Sequence, residues 1–286
     1  MSEVAASPIA ILAGGGRLPE LVTAAALRAG RAPIVFAIAG EAEPKAFAPA
    51  PVHTLRWGEI GRLFRLAQES GCRDAVLIGS IARRPDYRTL RPDFGAVKLI
   101  PRIVRIMAAR DNDILTGVAR ILEENGLKIV SPLSIAPELA LDEGCVAGSV
   151  SRQSQADIGA AAAAARKIGR LDIAQGAVAV DGRVVAEEDA TGTDALLNRV
   201  ALLRRSGAVG KSGGVLVKCL KPEQDGRHDL PTVGPSTAEH AKQAGLAGVA
   251  AEAGRTILVG REETIAAFDR AGLFLFGMKA PQLEHG

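Results

Sequence analysis

The densest run of side chains able to do chemistry is Lys218-Cys219-Leu220-Lys221-Pro222-Glu223-Gln224-Asp225-Gly226-Arg227-His228-Asp229-Leu230-Pro231. Within these 14 residues stand two Lys, one Arg, one His and three acids. Carboxylates hold Mg2+ or activate water, while Lys and Arg offset phosphate charge. A purely solvated loop accounts for the charges. It does not account for Pro222 and Pro231, which fix the shape of the segment towards its two ends. Asp225 precedes Gly226, where an unusual backbone path is open. Lys218, Lys221 and Arg227 are near enough in sequence to favour its ionised form. An ionised carboxylate there either binds Mg2+ or accepts the proton of an attacking water, and the sequence leaves both open.

Three glycine-bearing turns point the same way. Gly14-Gly15-Gly16 follows an apolar strand and precedes a helix, and Gly79-Ser80 follows another strand. Such turns let a phosphate approach a helix amino end, where N–H groups and the helix dipole favour negative charge. Without a ligand they are tight turns. Arg83 and Arg84 lie just past the second turn and can grip phosphate bidentately, or form a solvated basic loop. Thr191-Gly192-Thr193-Asp194 opens a later helix, where Thr193 or Asp194 is a candidate cap as well as a ligand contact. No dinucleotide fingerprint is present, because its third glycine falls at Pro19. There is no GxSxG elbow, HExxH helix or P-loop; Gly207-Ala-Val-Gly-Lys-Ser212 has the wrong spacing and follows a helix.

The elements around these residues read as alternating strands and helices. Apolar runs at 8–13, 33–39, 51–56, 74–78 and 127–130 predict strands. Helical periodicity covers 18–27, 58–70, 96–109 and 112–125, with an Arg-rich loop over 83–93. Apolar strands alternating with helices imply a parallel sheet covered on both faces. After a connector at 131–137 the composition shifts towards Ala and Gly. Helices are expected at 154–168 with a Ser cap and Gly169 as stop, then at 193–205, 236–244 and 262–270. Strands are expected at 174–180, 184–187, 214–220, 248–253, 256–259 and 273–276. Asp181-Gly182 marks a hairpin. The fold class is α/β in two domains: 1–134 with a parallel sheet and 135–286 with a mixed sheet, the ligand site lying in the cleft between them.

Composition narrows the function classes. The chain has 286 residues, 48% hydrophobic and 23% charged, which suits a folded protein rather than a disordered one. Net charge is +3 and aromatics make up 3%, too few for a base-stacking nucleic-acid surface. Cys72, Cys145 and Cys219 are scattered and form no disulfide or zinc pattern, so they read as buried thiols in a reducing compartment. His53 and His240 have no partners at metal-ligand spacing and read as structural. No signal-peptide pattern or spanning apolar run is visible, and a cytoplasmic protein is expected. The end, Gln282 to Gly286, has the look of a cloning remnant.

Taken in series, the motifs resemble the UDP-2,3-diacylglucosamine pyrophosphatase family of lipid A biosynthesis that is distinct from the calcineurin-like metallophosphoesterases. The matching residues are Ile11-Leu12-Ala13-Gly14-Gly15-Gly16-Arg17-Leu18-Pro19, Gly79-Ser80-Ile81 with Arg84-Pro85, Gly192-Thr193-Asp194-Ala195, and Lys221 to Pro231 with Val233-Gly234. They are ordered along residues 8–279. Two departures are Thr191, where Glu is expected, and Arg110, where Gly is expected before Asp111. The resemblance implies a Rossmann-like amino-terminal domain for the UDP moiety, with Gly14, Gly15, Gly16, Leu18, Gly79, Ser80, Arg83 and Arg84 as contacts. It implies a carboxy-terminal domain for the diacylglucosamine phosphate, with Thr193, Asp194, Lys218, Lys221 and Arg227. Asp225 corresponds to the catalytic carboxylate. The implied reaction is Mg2+-assisted hydrolysis to UMP and 2,3-diacylglucosamine 1-phosphate, with water attacking the phosphorus nearer the sugar. The implied enzyme is a homodimer on the cytoplasmic face of the inner membrane. The competing expectations are a nicotinamide- or flavin-dependent oxidoreductase and a non-catalytic nucleotide- or lipid-binding protein.

Overall fold

The protein is described from a computed structural model that covers residues 7–81, 111–171, 173–189, 191–221, 226–227 and 229–280, with backbone alone at 111–115. The expected helix over 96–109 and the Arg-rich loop over 83–93 lie outside the described residues. The chain divides into two compact units: residues 1–137 with 227–229, and residues 138–226 with 230–286.

In the first unit, β1 (Pro8–Ala13), β2 (Ala32–Ile38), β3 (Val52–Leu55), β4 (Asp74–Ile78) and β5 (Lys128–Ile129) form one sheet in the order β3-β2-β1-β4-β5. Every pairing is parallel. The connections carry α1 (Leu18–Arg28), α2 (Ile60–Glu69) and α3 (Asp111–Glu124), and α4 (Pro132–Ile135) follows β5. The apolar runs are continuous because the strands are buried on both faces: Ile9, Ala10 and Ile11 are all inaccessible to solvent. Phe36, Leu63, Ala119, Leu122 and Ile129 fill the core beside Ala10 and Ala75.

In the second unit, β6 (Gly144–Ala147), α5 (Arg152–Arg170), β7 (Gly176–Val180), β8 (Arg183–Glu187), α6 (Gly192–Arg205), β9 (Val215–Lys218), β10 (Thr232–Val233), α7 (Pro235–Gln243), β11 (Gly248–Glu252), β12 (Ile257–Leu258), α8 (Arg261–Ala271) and β13 (Phe274–Met278) follow in order. The main sheet runs β6-β13-β11-β9-β7-β8, and β10 pairs with β12 in a separate parallel ladder. Strands β9, β11 and β13 are parallel to one another, whereas β6, β7 and β8 are antiparallel to their neighbours. The mixed sheet of the sequence reading is therefore present. Alternate residues serve opposite faces. Ala177, Ala179, Val215 and Val217 face the Ala-rich helix α5, through Ala161, Ala162 and Ala165. Val178, Val180 and Leu216 face α6, α7 and α8, through Leu196, Val200, Ala241 and Phe268. Burying each Val, Leu or Phe side chain among these contributes about 1.5–3 kcal/mol, and each Ala less.

Local readings differ in a few places. α5 begins at Arg152, not Ser154: the cap is Ser151, whose hydroxyl accepts the Ser154 N–H at 3.0 Å. Gly169 does not stop that helix but lies buried within it. The Asp181-Gly182 turn has φ of 51° and 73°, the left-handed pair that closes a two-residue hairpin. Strands β6 and β10 have no counterpart in the apolar patterning, being only four and two residues long.

Candidate active site

In the first unit the two glycine turns meet. β1 and β4 are neighbours, and the chain departs from β1 towards β2 on the other side, so their carboxyl ends form the switch point of the sheet. Gly14 donates its N–H to the Ile78 carbonyl at 2.9 Å. Gly15 and Ser80 exchange backbone hydrogen bonds of 2.7 and 2.9 Å. Gly79 has φ +101°, and a Cβ there would lie 2.8 Å from both Gly14 C and Pro19 Cγ, so only glycine fits. The amides of Gly14 and Gly15 are thus spent on holding the turns together. What the turn presents is the amino end of α1 at Gly16 and Leu18, where Gly16 has φ +88° and open space around it. Arg83 and Arg84 lie outside the described residues.

In the second unit a pocket of about 410 Å3 is lined by Thr191, Gly192, Thr193, Asp194, Lys218, Thr232, Gly234, Pro235, Ser236, Thr237 and Val259. It is built from the amino ends of α6 and α7 and the carboxyl end of β9. Helix amino ends favour negative charge. Pro235 opens α7 at a position where an N–H would have no helical partner. Lys218 brings a buried cation to the pocket, and its Nζ donates to the Thr232 carbonyl at 3.0 Å. The sequence reading of Thr193 or Asp194 as a helix cap does not hold. The cap position is Thr191, which makes no side-chain capping bond.

Carboxylates instead brace the start of α6 from behind. Thr193 Oγ1 donates to Glu188 Oε1 at 2.6 Å, and the Gln175 N–H donates to Glu188 Oε2 at 3.1 Å. Asp189 accepts the Thr191 N–H at 2.8 Å, together with the Thr191 hydroxyl and Arg199 Nη1. The Thr191 hydroxyl, then Arg199 and the Thr191 amide, hold its carboxyl well below the usual carboxylate range. Asp194 pairs with His240 Nδ1 at 2.7 Å, tying α6 to α7. Sequence reasoning missed Glu188, Asp189, Arg199 and this role of His240. No motif marks them; the Gly234-Pro235 start of α7 was the legible sign of a second amino end.

The loop after β9 is described in part. Lys221 is buried, and Asp225 lies outside the described residues. Arg227 groups with the first unit, where it pairs with Glu123 and donates to the Ile129 carbonyl at 3.3 Å. Buried Glu252 anchors the root of the loop by accepting the Leu220 N–H at 3.2 Å and pairing with Arg166 at 3.1 Å. Among the described residues no group of three His, Cys, Asp or Glu side chains is placed to hold a metal ion.

Comparison with known families matches both units. The model of the LpxI N-terminal domain covers residues 8–139, and that of the LpxI C-terminal domain covers residues 142–276. The chain belongs to the LpxI family. A relative from Caulobacter vibrioides, named UDP-2,3-diacylglucosamine pyrophosphatase LpxI, is 39% identical over 274 residues, spanning 94% of this chain and 97% of its own. Among solved structures, a UDP-glucose 4-epimerase from Thermus thermophilus, complexed with NAD, is 12% identical with a TM-score of 0.31, covering 98% of this chain and 88% of that one. That likeness is too slight to bear on ligand or fold. Within the LpxI family assignment, the glycine turns fall in the N-terminal domain. The pocket with Thr193, Asp194 and Lys218 falls in the C-terminal domain.

Proposed function

We propose that the protein hydrolyses the pyrophosphate bond of UDP-2,3-diacylglucosamine in lipid A biosynthesis, giving UMP and 2,3-diacylglucosamine 1-phosphate. The observation that carries this reading is the match along nearly the whole chain to a relative named for that activity. The pocket supports it chemically. A pyrophosphate diester carries two negative charges that repel an incoming water. Helix amino ends and a buried lysine neutralise such charge without reorganising. The switch-point turn of the first unit takes the UDP part, with Gly14, Gly15, Gly16, Leu18, Gly79, Ser80, Arg83 and Arg84 as its contacts. The second unit takes the sugar phosphate through Thr193, Asp194, Lys218 and Lys221, and Arg227, which groups with the first unit, is a further contact.

Asp225 is the catalytic carboxylate in this proposal, and Mg2+ is the metal. Mg2+ commonly binds through substrate phosphates with one or two protein carboxylates and keeps several waters. A three-carboxylate cage is therefore not required, and the acids of the 218–231 loop suit that donor set. Bound there, Mg2+ supplies charge neutralisation at the phosphate oxygens. In this proposal the enzyme works as a homodimer on the cytoplasmic face of the inner membrane, in reach of a diacylated substrate held in the lipid phase. Among the described residues no helix is long and apolar enough to cross a membrane.

The test is hydrolysis of the diacylated UDP-sugar in oxygen-labelled water. Label is expected in the sugar 1-phosphate, and chelation should abolish turnover until Mg2+ is restored. Asp225→Ala should lower the rate about 10²–10⁴-fold in a folded protein that still binds substrate. Label confined to UMP, or near-normal kcat in Asp225→Ala, overturns the proposal.

A further inference from the structure

Thr193 lines the pocket, yet its hydroxyl proton is committed elsewhere. Oγ1 donates to Glu188 Oε1 at 2.6 Å. A hydroxyl has one proton and two lone pairs, so Thr193 keeps only acceptor capacity for a ligand. Glu188 is itself held. It is 6% exposed, and its Oε2 accepts the backbone N–H of Gln175 at 3.1 Å. Gly176 makes the room: a Cβ there would lie 3.0 Å from Glu188 Oε2 and 3.3 Å from its carboxyl carbon. The carboxylate thus has a fixed seat, and the seat sets the direction of the Thr193 hydroxyl.

Resting on the function proposed above, we propose that Glu188 is a positioning residue that makes Thr193 an obligate hydrogen-bond acceptor, and that Thr193 selects a donor on the glucosamine ring, a hydroxyl or the amide N–H. A phosphate oxygen has no proton to offer and would meet a lone pair with a carboxylate behind it. The phosphate is therefore directed to Lys218 and the amino end of α7, which line the same pocket. The two kinds of group on a sugar phosphate are sorted by polarity across one pocket.

The amide variant gives a distinctive expectation. In Glu188→Gln the side-chain carbonyl is required by the Gln175 N–H, which can only donate. The NH2 group then faces Thr193, whose oxygen accepts from it and turns its proton towards the pocket. Glu188→Gln should thus invert the polarity that Thr193 shows the ligand, with almost no change in shape.

The test measures calorimetric binding of 2,3-diacylglucosamine 1-phosphate in detergent. It is set beside three analogues: 4-deoxyfluoro, 6-deoxyfluoro, and one with the amide replaced by an ester. Each replaces a donor by an acceptor or a non-donor. One analogue should bind the native protein about ten-fold more weakly than the parent, the worth of a neutral hydrogen bond. Thr193→Val should erase that difference, and Glu188→Gln should erase or reverse it. Gly176→Ala, which displaces the carboxylate without touching the pocket, should shrink it. Each is read as a ratio within one variant that still binds the parent, so a general loss of stability does not mimic the result. If the analogues bind the native protein like the parent, or Thr193→Val keeps the same discrimination, the inference is wrong and the proposed function stands. If the parent sugar phosphate does not bind at all, both are wrong.

Discussion

Lys218 is 7% exposed, and a buried ammonium is costly unless its protons are used. One goes to the Thr232 carbonyl, and the residue also lines the pocket wall, where its charge favours an anion. The cysteines show the opposite use of burial. Burial pushes the Cys72 thiol up to about 11, and burial with the neighbouring Glu252 carboxylate pushes Cys219 up to about 12. Thiolate is the reactive form, so both are inert at pH 8. Cys145 is exposed, on the edge strand β6, which corrects the reading of three buried thiols. A thiol reagent at pH 8 should therefore modify one cysteine in the native protein and three after unfolding, read by mass spectrometry. Rapid labelling of Cys219 in the folded protein would contradict this account of its surroundings.

At the scale of elements, the segment entering α6 depends on a carboxylate that no motif announces. Asp189 gathers the Thr191 hydroxyl and amide and Arg199, which itself also donates to the Glu187 carbonyl at 2.8 Å. The native carboxyl titrates below the ordinary value of 3.8, so its contribution to stability is fully present above that value and is lost as pH falls below it. Asp189→Asn should therefore be less stable than the native protein at pH 7, with the gap closing as pH drops below 3.8, in denaturant melts across pH. A gap independent of pH would mean that the carboxylate's charge is irrelevant to the turn. Legibility followed local physics. The Asp181-Gly182 hairpin was readable because only a left-handed pair closes it. Strands β1, β2 and β4 were readable because burial on both faces leaves an unbroken apolar run. β10 was not, because a two-residue strand inside a polar stretch has no period to detect. The Ser151 cap was missed because Ser154, three residues on, is also a serine and is itself the capped donor. In the candidate site the glycine turns and Lys218 were legible as types. The braces Glu188 and Asp189 were not, because their roles come from the partners the fold supplies.

At the scale of the whole molecule, each unit has its own core and its own candidate ligand wall. The first unit ends its parallel strands at a switch-point turn, and the second ends β9 beside two helix amino ends. If UMP and the sugar phosphate are read by different units, each ligand should stabilise mainly the unit that binds it. Hydrogen exchange followed by mass spectrometry separates the two along the chain. A ligand at a hundred times its Kd adds about 2.7 kcal/mol to the unit that binds it, which slows exchange through opening of that unit by about a hundred-fold. UMP should give this protection in peptides of β1, β2 and β4. The diacylglucosamine 1-phosphate should give it in peptides of β9 and in the first turns of α6 and α7. The first turns are the more direct readout, because a helix amino end leaves amides without a helical acceptor, although Gly192 and Thr237 already donate to the Asp189 and Gly234 carbonyls at 3.0 Å. Gly16→Val tests the first assignment separately. The valine would be strained at φ +88° but meets no neighbour within 4 Å, so it should reduce UMP protection while leaving sugar-phosphate protection intact. Protection of the same peptides by both ligands, or of second-unit peptides by UMP alone, would overturn the division of labour between the two units.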